Sequence, residues 1–226
     1  MRYALEGGGK RIRPVLCLAT AEAAGAPPSA AVDAAVALEL VHTFSLVHDD
    51  LPALDDDDER RGRPSLHRAF SEGVALLGGD ALMVEAFRLA AGYDDPGIAR
   101  ELAEATLGMI GGQYLDITGA TADLAALHRL KTGRLFAAAI GLGVVVAGLD
   151  ERDQAPWRAF GEELGMLFQV VDDVLDGDGY VTRLGVEGAR ELALQAAERA
   201  RARLREIEAD TSVLVELVDG LEVRTI

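Results

Sequence analysis

Two clusters of aspartates, each at the end of an apolar stretch with helical periodicity, constrain this chain more than any other feature. The first, Asp49–Asp58, holds six carboxylates within ten residues, and the second, Asp172–Asp176, holds three. Carboxylates this close repel one another, so both clusters can share a cleft only if multivalent cations lie between them. Oxygen ligands of this kind suit Mg²⁺ held jointly with phosphate groups. The pattern predicts a cleft that grips a diphosphate through metal.

Composition limits the remaining possibilities. With 226 residues, half of them hydrophobic, the chain can form one domain, 1–226, with a full core. A net charge of −16 argues against nucleic acid as the main partner. The single cysteine, Cys17, rules out an internal disulfide framework and fits a reducing, cytoplasmic location. The longest near-apolar stretch, Leu135–Leu149, is too short to span a bilayer, so we expect no membrane anchor.

The secondary-structure pattern predicts an all-α fold, because apolar residues recur at intervals of three and four and Ala, Leu, Glu and Arg are abundant. We expect a single large helical bundle around a central cavity. The predicted helices are 12–24, 29–50, 72–92, 98–116, 122–132, 134–148, 152–176 and 187–207. A short strand at 143–147 is the alternative for one segment, but its surroundings favour helix.

A weak internal echo links the two acidic clusters. Residues 39–50 and 162–173 share an acid, an apolar face, an aromatic and a pair of aspartates. Two such helices would present the same chemistry from opposite walls of one cavity. Coincidence between two Leu/Val-rich helices is the competing interpretation.

The spacing within the clusters is informative in one case only. Asp172 and Asp176 are four residues apart and share a helix face, so they can hold one cation between them. On an ideal helix Asp56 would share the face of Asp49, whereas a break at Pro52 could bring Asp55 there instead. Periodicity alone does not choose between Asp55 and Asp56.

Basic residues accompany the acidic motifs. Lys10 and Arg13 follow a Gly7–Gly9 run at a predicted helix start, which is an arrangement that binds phosphate. Arg60 and Arg61 directly follow the first acidic cluster. Any one of these residues alone would be read as a solvated surface charge, but together they favour a site for two phosphate groups.

These motifs resemble those of the trans-isoprenyl diphosphate synthases, the family of short-chain farnesyl and geranylgeranyl diphosphate synthases. The matching stretches are GGGKRIRP (7–14), ELVHTFSLVHDDLPALDDDDERRGRPSLH (39–67), GGDAL (78–82), GGQYLD (111–116), HRLKTGRLF (128–136) and FQVVDDVLD (168–176). They occur in family order over most of the chain. The resemblance implies the isoprenoid synthase fold and a homodimer. It also implies a transferase that condenses isopentenyl diphosphate with an allylic diphosphate, dimethylallyl or geranyl.

The resemblance also implies roles for individual residues. Four would bind isopentenyl diphosphate without metal: Lys10, Arg13, His42 and Arg61. Six would form the acidic motifs that hold two or three Mg²⁺ ions: Asp49, Asp55 and Asp172 as principal ligands, with Asp50, Asp173 and Asp176. Four would surround the allylic substrate and its departing diphosphate: Arg60, Lys131, Thr132 and Gln169. The family pattern thus favours Asp55 over Asp56. Without it, His42 would be read as an ordinary core histidine.

Product length is expected to depend on Phe44 and Ser45, which occupy the family positions that point down the product tunnel. An aromatic residue at Phe44 resembles the short-chain farnesyl diphosphate synthases, so we expect a C15 product rather than C20. The competing interpretation places Phe44 in the ordinary core.

The chain departs from the family pattern in three places. The first family helix is mostly absent before Gly7, the stretch 116–123 is short, and the loop after Asp176 lacks the usual length and lysines. We favour missing mobile segments over genuine loss. The departures also motivate a second hypothesis, a non-catalytic subunit of a heteromeric synthase. A terpene cyclase is a third, which the metal-free diphosphate motif disfavours. An acidic cation-binding protein is a distant fourth.

Overall fold

A computed structural model describes residues 1–120 and 123–223, and this part of the chain is predominantly helical. The principal helices are α1 (Arg2–Leu5), α2 (Ile12–Ala23), α3 (Val32–Asp49), α4 (Leu66–Ala69), α5 (Glu72–Ala90), α6 (Pro96–Thr118), α7 (Leu124–His128), α8 (Arg134–Val146), α9 (Ala155–Asp176), α10 (Tyr180–Arg205) and α11 (Ser212–Glu222). Short 3₁₀ turns cover Pro28–Ala31 and Glu151–Asp153, and a π-helical turn covers Arg129–Gly133. The all-α prediction is confirmed.

The long helices pack as a bundle. Helix α3 lies against α5, α2 against α8, and α9 against both α8 and α10. Their facing sides carry the fully buried side chains of the core, among them Leu38, Phe136 and Phe160. The segment 143–147 lies in the last turns of α8 and the residue after it, so the helical interpretation of that segment is confirmed.

Two short strands were not predicted from the sequence. Strand β1 (Glu59–Arg60) pairs antiparallel with β2 (Arg63–Pro64), and the turn between them uses positive φ at Arg61 and Gly62. This hairpin returns the chain from the acidic cluster to the bundle. The strands are only two residues long, which is too short for an alternating pattern to appear.

Helix α9 ends at Asp176, and only Gly177–Gly179 separate it from α10, which kinks at Gly185. The predicted helix 187–207 therefore begins seven residues earlier, at Tyr180. Asp173 holds this junction together, since its Oδ2 accepts the Tyr180 backbone N–H at 2.8 Å. A side chain at Gly179 would meet that carboxylate, with a Cβ at 2.1 Å from Oδ2.

One apolar helical segment, Pro28–Asp49, is long and apolar enough by composition to cross a membrane. Within the bundle, however, 61% of its most apolar window is buried. Such a segment is typical of a core helix.

Candidate active site

The basic residues predicted to bind diphosphate line one cleft of about 800 Å³. Its walls include Lys10, Arg13, His42, Arg61 and Asp172. They come from the loop before α2, from the first turn of α2, from α3, from the hairpin and from α9. Sequence-distant motifs thus meet at a single place.

Buried arginine dominates this cleft. The guanidinium of Arg13 lies 4.5 Å from the ring centroid of Phe136, a cation–π contact that keeps it ordered without pairing its charge. Burial lowers the pKa of Arg13 to about 10, while the carboxylates of Glu39 and Asp172 act in the opposite direction. Its Nε is buried without a hydrogen-bond partner. A positive group held in this way is prepared to receive an anion.

His42 stays neutral in this environment. Burial, followed by the guanidiniums of Arg13 and Arg61, lowers the pKa of His42 well below its usual value. A neutral imidazole can still donate one N–H to a phosphate oxygen. His42 thus lies in the wall of the cleft, with basic groups around it.

Backbone geometry shapes the edge of the cleft. Gly9 has φ +120°, and a Cβ there would lie 2.5 Å from Nη1 of Arg61. Arg11, which precedes α2 in a left-handed conformation, forms an ion pair with Glu39. The glycine run lets the hairpin arginine approach the loop that carries Lys10.

A second cavity of about 350 Å³ adjoins this cleft and is more apolar. Asp49, Lys131 and Thr132 lie among its lining residues, as do Phe44 and Ser45 of α3. Arg13, His42, Leu46 and Thr132 line both spaces, so the cavity and the cleft meet at these residues. A volume of this size suits a short hydrocarbon chain.

Asp49 is the carboxylate whose ionisation is most perturbed in the first cluster. Burial raises its pKa to about 6; the nearby charge of Lys131 opposes this effect and that of Asp55 adds to it. Asp55 is tied to the end of α3, since its backbone N–H donates to the carbonyl of Asp49 at 2.9 Å. The structure therefore places Asp55 beside Asp49, as the family pattern favours, while Asp56 belongs to a different group of side chains.

Two aspartates of the motifs are committed to protein partners. Asp50 is 3% exposed and accepts from Nε of Arg60 at 2.9 Å, and Arg60 also bonds Asp57. Asp173 is equally buried, and its Oδ1 accepts from Nε2 of Gln169 at 2.7 Å. Asp173 uses both of its carboxylate oxygens in protein contacts, since Oδ2 accepts the Tyr180 backbone N–H, whereas Asp50 uses Oδ1. Asp176 lies exposed at the end of α9.

Lys131 and Thr132 lie on the π-helical turn, which is wedged between α6 and α9. A Cβ added at Gly112 would lie 2.4 Å from the backbone nitrogen of Lys131. One added at Gly165 would lie 2.9 Å from Cα of Gly133. Lys131 forms an ion pair with Asp116 of α6. The turn thus holds both side chains at the mouth of the apolar cavity.

Gln113 is a site residue that the sequence prediction missed. It lines the apolar cavity, and both polar atoms of its amide are buried without a hydrogen-bond partner. An unsatisfied buried amide costs free energy, and both its donor and its acceptor are free to bond a polar group that enters the cavity. The only sequence signal was a lone amide in the GGQYLD motif.

The carboxylate groups fit a hard divalent cation. Asp49 is partly buried beside Asp55, and burial, with the neighbouring charge of Asp55, raises its pKa, so a bound cation would stabilise its ionised form. Carboxylate oxygens are the ligands that Mg²⁺ prefers. Asp49, Asp55 and Asp172 are the residues that would hold it.

Comparison with known proteins gives a consistent result. The polyprenyl synthetase family model matches residues 1–189. The chain is 35% identical to farnesyl diphosphate synthase of Geobacillus stearothermophilus, covering 99% of this chain and 87% of that enzyme. It is 40% identical to geranylgeranyl diphosphate synthase of Cyanophora paradoxa, covering 87% of this chain and 71% of the other. A crystal structure of geranyltransferase from Legionella pneumophila superposes with a TM-score of 0.90 at 34% identity, covering 99% and 85% of the two chains.

Proposed function

The chain belongs to the polyprenyl synthetase family and is a short-chain prenyltransferase, and from this premise we propose that it makes farnesyl diphosphate from isopentenyl diphosphate and an allylic diphosphate. The observation that carries the proposal is the junction of the basic cleft with the apolar cavity at Arg13, His42 and Thr132. Both kinds of site are needed for two diphosphate substrates whose hydrocarbon parts must meet.

The basic cleft would bind isopentenyl diphosphate. Lys10, Arg13 and Arg61 would neutralise its diphosphate, and neutral His42 would donate a hydrogen bond to it. This binding would need no metal. Because the cleft and the apolar cavity meet at Arg13, His42 and Thr132, the alkene would be held at the junction of the two spaces. The chain thereby converts a bimolecular encounter into an oriented one.

The allylic diphosphate would lie at the mouth of the apolar cavity. Lys131 and Arg60 would stabilise the negative charge that develops as the allylic C–O bond breaks. When bound, Mg²⁺ supplies further stabilisation of that charge. Thr132 and Gln113, on the wall of the apolar cavity, would orient the substrate. Gln169 lies outside the lining of both spaces, in a neighbouring pocket, and would act through its hydrogen bond to Asp173. We propose two or three Mg²⁺ ions.

The bond changes balance without a protein nucleophile. The double bond of isopentenyl diphosphate attacks the allylic carbon, a new carbon–carbon bond forms, and a proton is then lost to the released diphosphate. The apolar lining, including Phe44, Met109 and Leu135, excludes water that would otherwise capture the cation.

Phe44 supports the C15 product. It is 5% exposed, lines the apolar cavity, and meets His48 edge-to-face with ring centroids 5.6 Å apart. A large, fixed ring in the wall limits the length of chain that the cavity accepts. A geranylgeranyl product is the alternative, since relatives of both kinds resemble this chain.

The test is an Mg²⁺-dependent condensation assay with isopentenyl diphosphate and dimethylallyl or geranyl diphosphate, with products identified by mass spectrometry. We expect a C15 diphosphate that disappears with EDTA, and C20 or longer products from Phe44→Ala. Phe70→Ala is the control, because Phe70 is 59% exposed and lies outside the cavity. A C20 product from the unchanged protein would overturn the farnesyl assignment.

The three-residue connection after Asp176 favours one alternative, a subunit that needs a catalytic partner. The alignment with the Geobacillus enzyme extends over 258 residues against 226 here, so that enzyme has residues without counterparts in this chain. Turnover by the isolated protein would exclude the non-catalytic role. Absence of turnover from every allylic starter would support it.

We further propose a cytoplasmic homodimer. Leu107 of α6 and Leu77 and Val84 of the adjacent α5 are exposed apolar side chains, and the exposed α6 residues Ile110, Tyr114 and Ile117, which also line the apolar cavity, extend this face. An apolar face of this extent favours a second copy as its cover.

Leu107→Glu should convert a dimer to a monomer, because Leu107 is 69% exposed at the start of this face and a carboxylate cannot be buried there cheaply. Light scattering coupled to size exclusion measures the mass. Leu194→Glu, on α10, is the control and should leave the mass unchanged. A wild-type protein of monomeric mass would contradict the proposal.

A further inference from the structure

A group of three potential metal ligands lies outside the proposed diphosphate sites. The ligand atoms of Asp56, Asp58 and His67 all lie within 4.8 Å of one another. Asp56 and Asp58 are exposed, and His67 is 7% exposed. The hairpin makes this grouping possible, because Ser65 donates its backbone N–H to the carbonyl of Asp58 at 2.9 Å.

The state of the histidine ring points to a ligand. Nδ1 of His67 lies 3.0 Å from Oγ of the buried Ser65, whereas Nε2 is buried and has no hydrogen-bond partner. If Nδ1 carries the proton and donates to Ser65, Nε2 presents a free lone pair. Metal-binding histidines characteristically use one ring nitrogen for the metal and the other for an orienting hydrogen bond. The carboxylate of Asp50 is also close enough to interact electrostatically with His67. It accepts hydrogen bonds from Arg60, however, and so already has a partner.

This group is separate from the proposed magnesium ligands. Asp55 contributes to the electrostatics of Asp49, whereas Asp56 turns away in a left-handed conformation with φ +52°. That turn divides the acidic cluster into two parts. Asp49 lines the apolar cavity and Asp55 is bonded to its backbone, while Asp56 and Asp58 approach the base of the hairpin.

We propose that Asp56, Asp58 and His67 bind a divalent transition-metal ion of borderline softness, such as Zn²⁺. One imidazole nitrogen with two carboxylates suits such an ion better than Mg²⁺, which prefers oxygen ligands alone. The ion would tie the end of the acidic loop to α4 and so brace the hairpin that carries Arg60 and Arg61. The ion pair of Asp58 with Arg68 is the competing contact, and both side chains are largely exposed, so it is weak.

The test uses Zn²⁺ as the probe in the presence of excess Mg²⁺ and without substrate. The starting protein is the Asp49→Asn/Asp172→Asn double variant, in which the proposed magnesium ligands are weakened. Calorimetric titration should show one Zn²⁺ per chain. Adding Asp56→Asn should lower the affinity by about 10- to 100-fold. Asparagine tolerates the same left-handed conformation, so the fold is retained.

Glu59→Gln is the matched control, because it removes a neighbouring exposed carboxylate that is not in the group, and it should leave Zn²⁺ affinity unchanged. His67→Gln, added to the same double variant, should lower the affinity as Asp56→Asn does. The proposal is overturned by the absence of stoichiometric binding, by equal affinity in Asp56→Asn, or by an equal loss in Glu59→Gln. These readouts do not use prenyl transfer, so they stand or fall separately from the proposed function.

Discussion

Asp49→Asn should reduce kcat/KM for condensation by about 10³-fold and yet make the metal-free protein more stable at pH 7. The loss of activity is expected because the variant removes the Asp49 carboxylate, which would help to hold Mg²⁺ against the leaving diphosphate. The gain in stability follows from the pKa of Asp49, which burial raises from 3.8 to about 6 in the folded protein. Stabilisation from the neutral carboxyl is fully present below 3.8 and is lost as pH rises through about 6.

Asparagine is neutral throughout this range and keeps that stabilisation at pH 7. We expect a gain of about 1–2 kcal/mol in EDTA, after allowance for solvent screening. Thermal unfolding from pH 7 to pH 4 measures it, and the difference from wild type should shrink as pH falls. Asp153→Asn, on an exposed 3₁₀ turn, is the control for a generic charge effect. Equal stability of the two proteins at pH 7 would refute the argument.

Gly112→Ala should destabilise the fold by about 2–4 kcal/mol and abolish most activity, because the added methyl group meets backbone rather than a movable side chain. Its Cβ would lie 2.4 Å from the backbone nitrogen of Lys131 and 2.7 Å from its Cα. The π-helical turn would have to shift, and Lys131 and Thr132 would shift with it.

Gly111→Ala is the matched control, since nothing lies within 4 Å of a Cβ at that position. Alanine is the better helix former, so this variant should be more stable by about 0.5–1 kcal/mol. Denaturant unfolding gives both free energies, and the condensation assay gives the activities. If the two variants lose the same stability, the close approach of α6 to the turn is not what fixes Lys131.

The helices were predictable because their signals are local. The ranges 12–24 and 72–92 differ from α2 and α5 by only one or two residues at one end. The predicted helix 122–132 is different, since α7 begins at Leu124, ends at His128 and passes into the π-helical turn. That irregularity depends on contact with Gly112 and Gly165, which are distant in sequence, so no local pattern indicates it.

The site was predictable in its residue types but only partly in its geometry. Spacing left Asp55 and Asp56 as alternatives, and the family resemblance favoured Asp55. Asp55 and Asp56 are separated by the left-handed backbone conformation of Asp56 and by the hairpin that follows. Hydrophobic periodicity predicts neither feature. Gln113 and His67 were not predicted as candidate site residues, because a single amide or imidazole in an apolar segment is more often a satisfied core group. Their unpaired buried atoms become visible only with the fold in place.

The basic cleft is a small positive region on a chain of net charge −16. At a distance, the overall field repels a diphosphate; close to Arg13 and Arg61, the local field attracts it. Attraction is therefore confined to about one Debye length, roughly 10 Å at 0.1 M salt. Long-range steering contributes little to substrate capture, and moderate salt aids the approach by screening the repulsion. Discrimination among anions is thus exercised at the cleft itself and not during diffusion towards it.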